Sequence, residues 1–132
     1  MIGVIVVTHE EFANGIKKAT EMIVGEQKKF ESIGFYNNES MEMLYKRIVD
    51  TIDELGCTEV LIFTDMLGDT PTNASMMAMF ERKCRIIGGV NLPMLIECLL
   101  NRQYKDIDTL IREGVKSGQD SIKYIDKILI ED

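Results

Sequence analysis

The chain has 132 residues, of which 45% are hydrophobic, and carries a formal charge of −7 with a pI near 4.8. That composition fits one globular domain, residues 1–132, with a real core, and excludes a disordered chain. The acidic balance argues against nucleic acid and anionic membrane surfaces, which need clustered Lys and Arg, and suits a basic protein partner.

In chain order the pattern alternates strand and helix. Residues 2–7, IGVIVV, form a continuous β-branched run of the kind buried on both sheet faces. Phe12, Ile16, Ala19 and Ile23 then recur at helical spacing from Glu10 to about Val24, with Gly25 as a stop. Residues 29–36 read as a second strand with Phe30, Ser32 and Gly34 on one weak face, as at a sheet edge. Asn38 is placed to cap a helix striped by Met41, Leu44, Ile48, Ile52 and Leu55 and ended by Gly56. Residues 59–65 make a third strand.

The loop MLGDTP follows, with Thr70 as cap and Pro71 in the first turn of a helix running to about Arg82. Residues 84–89 form a fourth strand, and a helix runs from Pro93 to about Asn101. Ile107, Leu110, Ile111 and Val115 mark a last helix closing near Gly118. Residues 121–130, SIKYIDKILI, alternate as a fifth strand, antiparallel on an edge or paired with another subunit. The fold class is α/β, a doubly wound and mostly parallel sheet with helices on both faces.

Cys57, Cys84 and Cys98 have no C-x-x-C spacing, and a zinc site of four N/S ligands would consume all of them plus the only histidine. They read as reduced core thiols, with no metal and no cofactor expected. The start MIGVIVV has no basic leader region, and no apolar run approaches the ~18 residues of a membrane span. The expectation is a soluble, cytoplasmic protein.

Chemistry in such a sheet belongs at the carboxyl ends of strands, where strand order reverses. His9 ends the first strand and Asp65 the third. In the order 2-1-3-4 these strands are neighbours, ~4.8 Å apart, and the two side chains meet. An Asp on one ring nitrogen fixes the tautomer and leaves the other nitrogen as a nucleophile. No G-x-S-x-G or G-x-x-x-x-G-K-[ST] motif offers another centre. GDTPTN, residues 68–73, leads into a helix N-terminus that favours a phosphoryl group. Each feature also has an ordinary reading. A lone His after a strand serves as a turn residue, TDMLGD as a turn and GDTP as a helix start. Most of the nine methionines fill core space, whereas Met66 and Met94 are open between core and docking surface.

These residues resemble a known family, the IIA component of the mannose-family phosphoenolpyruvate-dependent sugar phosphotransferase system. The similarity rests on THEEF (8–12), GEQ (25–27), FTDMLGDTPTNAS (63–75) and GVNLPMLIE (89–97), and spans nearly the whole chain. It implies a doubly wound domain that forms a homodimer by exchanging a C-terminal strand. It implies that His9 takes a phosphoryl group on Nε2 from the carrier HPr and passes it to a IIB component. It further implies that Asp65 holds the other ring nitrogen and that Gly68, Asp69 and Thr70 surround the phosphoryl group. The chain departs from the family pattern at Asp69 and Glu10, where glycines are usual, and at Thr72, where a large apolar residue is usual. Asp69 tolerates a positive φ if one is needed, and Thr72 is expected to alter the partner surface. Two other functions fit the class: a regulatory module whose phosphorylation controls a partner, and a nucleotide- or flavin-binding domain. The absent glycine-rich motif after the first strand, with Glu10 and Glu11 in its place, argues against the latter.

Overall fold

The β-branched run after Ile2 does become a fully buried inner strand. In the computed structural model, which describes residues 1–127, the elements are β1 (Gly3–His9), α1 (Phe12–Val24), β2 (Phe30–Phe35), α2 (Met41–Leu55), β3 (Val60–Thr64), α3 (Thr70–Ala78), β4 (Cys84–Gly88), α4 (Leu92–Asn101) and α5 (Ile107–Asp120). The sheet has the order β2-β1-β3-β4, and every pairing is parallel. Side chains alternate between faces, so each inner strand feeds two cores. Val4, Val6, Leu61 and Phe63 pack with Ala13 and Ile16 of α1, Leu95 of α4 and Leu110 of α5. Ile5, Val7, Val60 and Ile62 pack with Leu44 and Ile48 of α2 and with Ala74 and Ala78 of α3. Burial on both faces explains why β1 and β3 read as unbroken apolar runs. No helix among the described residues is long and apolar enough to cross a membrane.

Several local expectations shift. The buried face of α1 is Ala13, Ile16 and Thr20, while Phe12 and Ile23 are exposed. Thr20 joins the apolar face because its hydroxyl donates to the Ile16 carbonyl at 2.6 Å. Ser40, not Asn38, caps α2 by accepting the Met43 N–H. α3 ends at Ala78, before the expected Arg82. Gly118 lies inside α5 instead of closing it, because its missing Cβ lets Met94 of α4 approach. Residues 122–126 form neither strand nor helix, and the rest of the expected fifth strand, 128–130, lies outside the described residues. At the amino ends of the strands, buried Arg102 donates to the carbonyls of Ile2, Lys28 and Lys29 and ties α4 to the sheet.

At the opposite end, the chain leaves β1 over Gly34. Glu10 has a positive φ of 48°, its N–H donates to the Phe35 carbonyl at 2.8 Å, and its own carbonyl lies where a Gly34 Cβ would be. That left-handed conformation is one that glycine adopts more readily than Glu. Gly34→Ala should push the Glu10 carbonyl aside and destabilise the fold by about 1–3 kcal/mol in denaturant unfolding. Unchanged stability would mean that the crossing is loose.

Candidate functional site

His9 is the last residue of β1 and pairs in register with Phe35 of β2. Asp65 is the first residue after β3. β1 and β3 are neighbours although β2 and α2 intervene in sequence, so the two residues flank the point where strand order reverses. The expected meeting is made by a single oxygen. Asp65 Oδ2 accepts the His9 backbone N–H at 2.9 Å and lies 2.6 Å from His9 Nδ1. A carboxylate only accepts, so this contact puts the proton on Nδ1. The other oxygen, Oδ1, accepts the Met66 N–H at 3.1 Å. Phe35 meets the imidazole edge-on, with ring centroids 6.2 Å apart. Asp65 is largely covered, at 13% side-chain exposure, while the His9 ring is 38% exposed. A rigid, covered carboxylate thus holds a ring whose other nitrogen is available for chemistry.

The 65–69 loop closes the site from the β3 side. Gly68 makes its bend with a φ of 77°. Asp69 has an extended backbone, φ −133°, so the position needs no left-handed tolerance. Asp69, not Thr70, is the cap of α3: its Oδ1 accepts the Thr70 N–H at 2.8 Å. Its Oδ2 lies 3.1 Å from His9 Nε2. Of Gly68, Asp69 and Thr70, the structure brings the Asp69 side chain to the ring, with its carboxylate directly on the exposed nitrogen, while Gly68 bends the loop and Thr70 gives its N–H to Asp69.

Thr72 corrects a second expectation. It is only 4% exposed and forms no partner surface. Its hydroxyl lies 2.7 Å from Thr64 Oγ1 and donates to the Met66 carbonyl at 2.5 Å. This pins the loop to the end of β3. Sequence reading missed that clamp and the Phe35 contact, although a Thr at each end of TDMLGDTPT (64–72) was a usable signal. Met94 is buried between α4 and α5, whereas Met66 is exposed beside Asp65. Cys84 and Cys98 are buried, and burial pushes the Cys98 thiol up to about 12, so both behave as packing groups. Among the described residues no group of three or more His, Cys, Asp and Glu is arranged to hold a metal.

The carboxylates favour the imidazolium. The hydrogen bond to Asp65 is the largest influence, joined by the charges of Asp65 and Asp69, and together they outweigh burial and raise His9 above its ordinary 6.5. The arrangement is an oriented nitrogen nucleophile beside a helix N-terminus, which is suited to accepting a phosphoryl group.

The sequence model of a family described as "PTS system fructose IIA component" matches residues 3–115. The chain belongs to that EIIA family. It is 33% identical over 114 residues to the sorbose-specific EIIA component of Lacticaseibacillus casei, covering 86% of this chain and 83% of that protein. It is 31% identical to the mannose-specific EIIAB component of Escherichia coli K12, covering 92% of this chain but only 39% of that longer protein. The structure of an EIIA from Streptococcus agalactiae superposes with a TM-score of 0.87 at 30% identity, covering 94% of this chain and 97% of the other. EIIA components take part in phosphotransfer, and the four-stranded parallel sheet of this chain is that of its structural relatives.

Because the His9 pKa is raised in the folded EIIA chain, its pairing stabilises the fold fully below 6.5 and progressively less as pH rises through the native value. NMR titration of the sole imidazole should give a midpoint above 6.5, and Asp65→Asn should lower it. An unmoved midpoint in Asp65→Asn would contradict the assigned contact.

Proposed function

We propose that this chain is a cytoplasmic phosphocarrier of sugar uptake, accepting a phosphoryl group from phospho-HPr on His9 Nε2 and passing it to a IIB component. The observation that carries this reading is the single Asp65 oxygen bonded to both the His9 main chain and Nδ1, which leaves Nε2 as the reactive atom. The donor ring, protonated on its second nitrogen, leaves as neutral imidazole with the electron pair of its N–P bond. His9 Nε2 gives its lone pair to phosphorus, and the ring becomes cationic while keeping the Nδ1 proton against Asp65. Hand-off to the IIB component reverses the same exchange. The work of this chain is positioning and charge stabilisation.

Asp65 orients His9 and stabilises its cationic phosphorylated form. The backbone of Gly68, Asp69 and Thr70 forms the wall against which the phosphoryl oxygens lie, with the Asp69 carboxylate turned aside. Exposed Phe12, Met66 and Leu67 flank His9 and Asp65 in sequence and supply an apolar rim for docking, within an acidic chain suited to a basic donor.

The homodimer is part of the same reading. Ile122, Tyr124 and Ile125 are exposed in a segment without regular structure, and pairing that segment with a second copy would cover them. Light scattering should give a dimer for the full chain and a monomer after deletion of residues 121–132. A full chain that is monomeric at high concentration contradicts strand exchange.

Incubation with phosphoenolpyruvate, enzyme I and HPr should place one acid-labile phosphate on the chain. His9→Ala should abolish it, and Asp65→Ala should slow loading by about 10²-fold or more. Full labelling of His9→Ala ends this reading.

A further inference from the structure

The Asp69 carboxylate is not needed to orient the His9 ring, which Asp65 and Phe35 already hold. Yet it touches the atom that reacts. Its Oδ2 is 3.1 Å from His9 Nε2, and its Oδ1 accepts the Thr70 N–H at 2.8 Å. It therefore spans the two groups an incoming phosphoryl group would use: the attacking nitrogen and the first amide of α3. Asp65 accepts three hydrogen bonds and is 13% exposed, whereas Asp69 is 46% exposed and can rotate into solvent.

We propose that Asp69 is an internal stand-in for the phosphoryl group, and that its displacement makes loaded His9 a high-energy, readily discharged form. The proposal rests on His9 being the phosphorylated residue. In the unloaded chain the carboxylate sits against the ring with favourable charge. It also carries the Nε2 proton of the imidazolium to solvent, which frees the lone pair before attack. In the loaded chain a dianionic phosphoryl group occupies that place, and the carboxylate loses both partners and faces like charge. Both effects shift the exchange toward the unloaded chain. The charged groups facing the ring are Asp65 from the end of β3 and Asp69 from the start of α3, while β2 contributes the uncharged Phe35.

The test compares the parent chain with Asp69→Asn and Asp69→Gly. Asn keeps the helix cap nearly as well as Asp, so Asp69→Asn separates charge from folding. With phospho-HPr as donor, the equilibrium constant for loading His9 should rise about tenfold or more in both variants, the scale of one screened charge contact at this distance. The His9 midpoint should fall in Asp69→Asn by NMR, and its loading rate should reach its plateau at lower pH than in the parent. Equal or weaker loading in both variants, or an unmoved His9 midpoint in Asp69→Asn, overturns the proposal. Phosphate absent from His9 in all three proteins overturns the phosphocarrier reading and this inference with it.

Discussion

The site depends on one carboxylate oxygen. Asp65 Oδ2 binds the last backbone N–H of β1 and the Nδ1 of the same residue. A strand end and a side chain are thus fixed by a single acceptor, and the imidazole cannot turn without losing that bond. Hydrogen bonds to a charged group contribute roughly 1.5–3 kcal/mol each, enough to set both tautomer and rotamer of a side chain otherwise 38% exposed. The rest of the fold serves to bring that oxygen to the right place. β1 and β3 must be neighbours and parallel, and the chain must turn immediately after Thr64.

Rigidity at the rim comes from polar contacts close to the two-sided core. Thr64 and Thr72 join their hydroxyls beneath the loop, and Thr72 also holds the Met66 carbonyl. The loop cannot lift without leaving these buried groups unpaired, which is costly in a low-dielectric surrounding. On the β2 side, Gly34 makes room for the Glu10 carbonyl, and Phe35 closes one edge of the imidazole. The ring is framed by three strand ends, and only its outer nitrogen faces a side chain free to move.

Much of this was legible in the sequence because burial on both faces leaves a strong signal. IGVIVV has the unbroken apolar character of a strand buried on both faces, residues 59–65 read as a third strand, and the position of His9 and Asp65 at their ends followed from counting. The α2 stripe was equally plain from Leu44 to Leu55, although Met41, expected at its head, is exposed. What escaped were choices between chemically similar neighbours. Asp69 and Thr70 are both good caps, and backbone geometry decides for Asp69. Thr72 reads as a surface residue until its hydroxyl is seen bridging two loop groups. Phe12 has the helical spacing of a core residue but falls on the rim, because small Ala13 and Thr20 take the tight contact with the sheet. The direction of the Asp69 side chain leaves no trace in composition or period, and only coordinates place it on Nε2. The alternating segment after α5 signalled a strand, yet 122–126 adopt none within the single chain.

The central claim is that Asp65 commits Nδ1 to a proton and leaves Nε2 to react. The most direct measurement is a long-range ¹H–¹⁵N spectrum of the sole histidine in the phosphorylated chain, which distinguishes the two ring nitrogens by their couplings to the carbon-bound protons. The account predicts phosphorus on Nε2 and a retained proton on Nδ1. Phosphorus on Nδ1 would contradict it, since that nitrogen would have had to abandon the carboxylate on which the site is built.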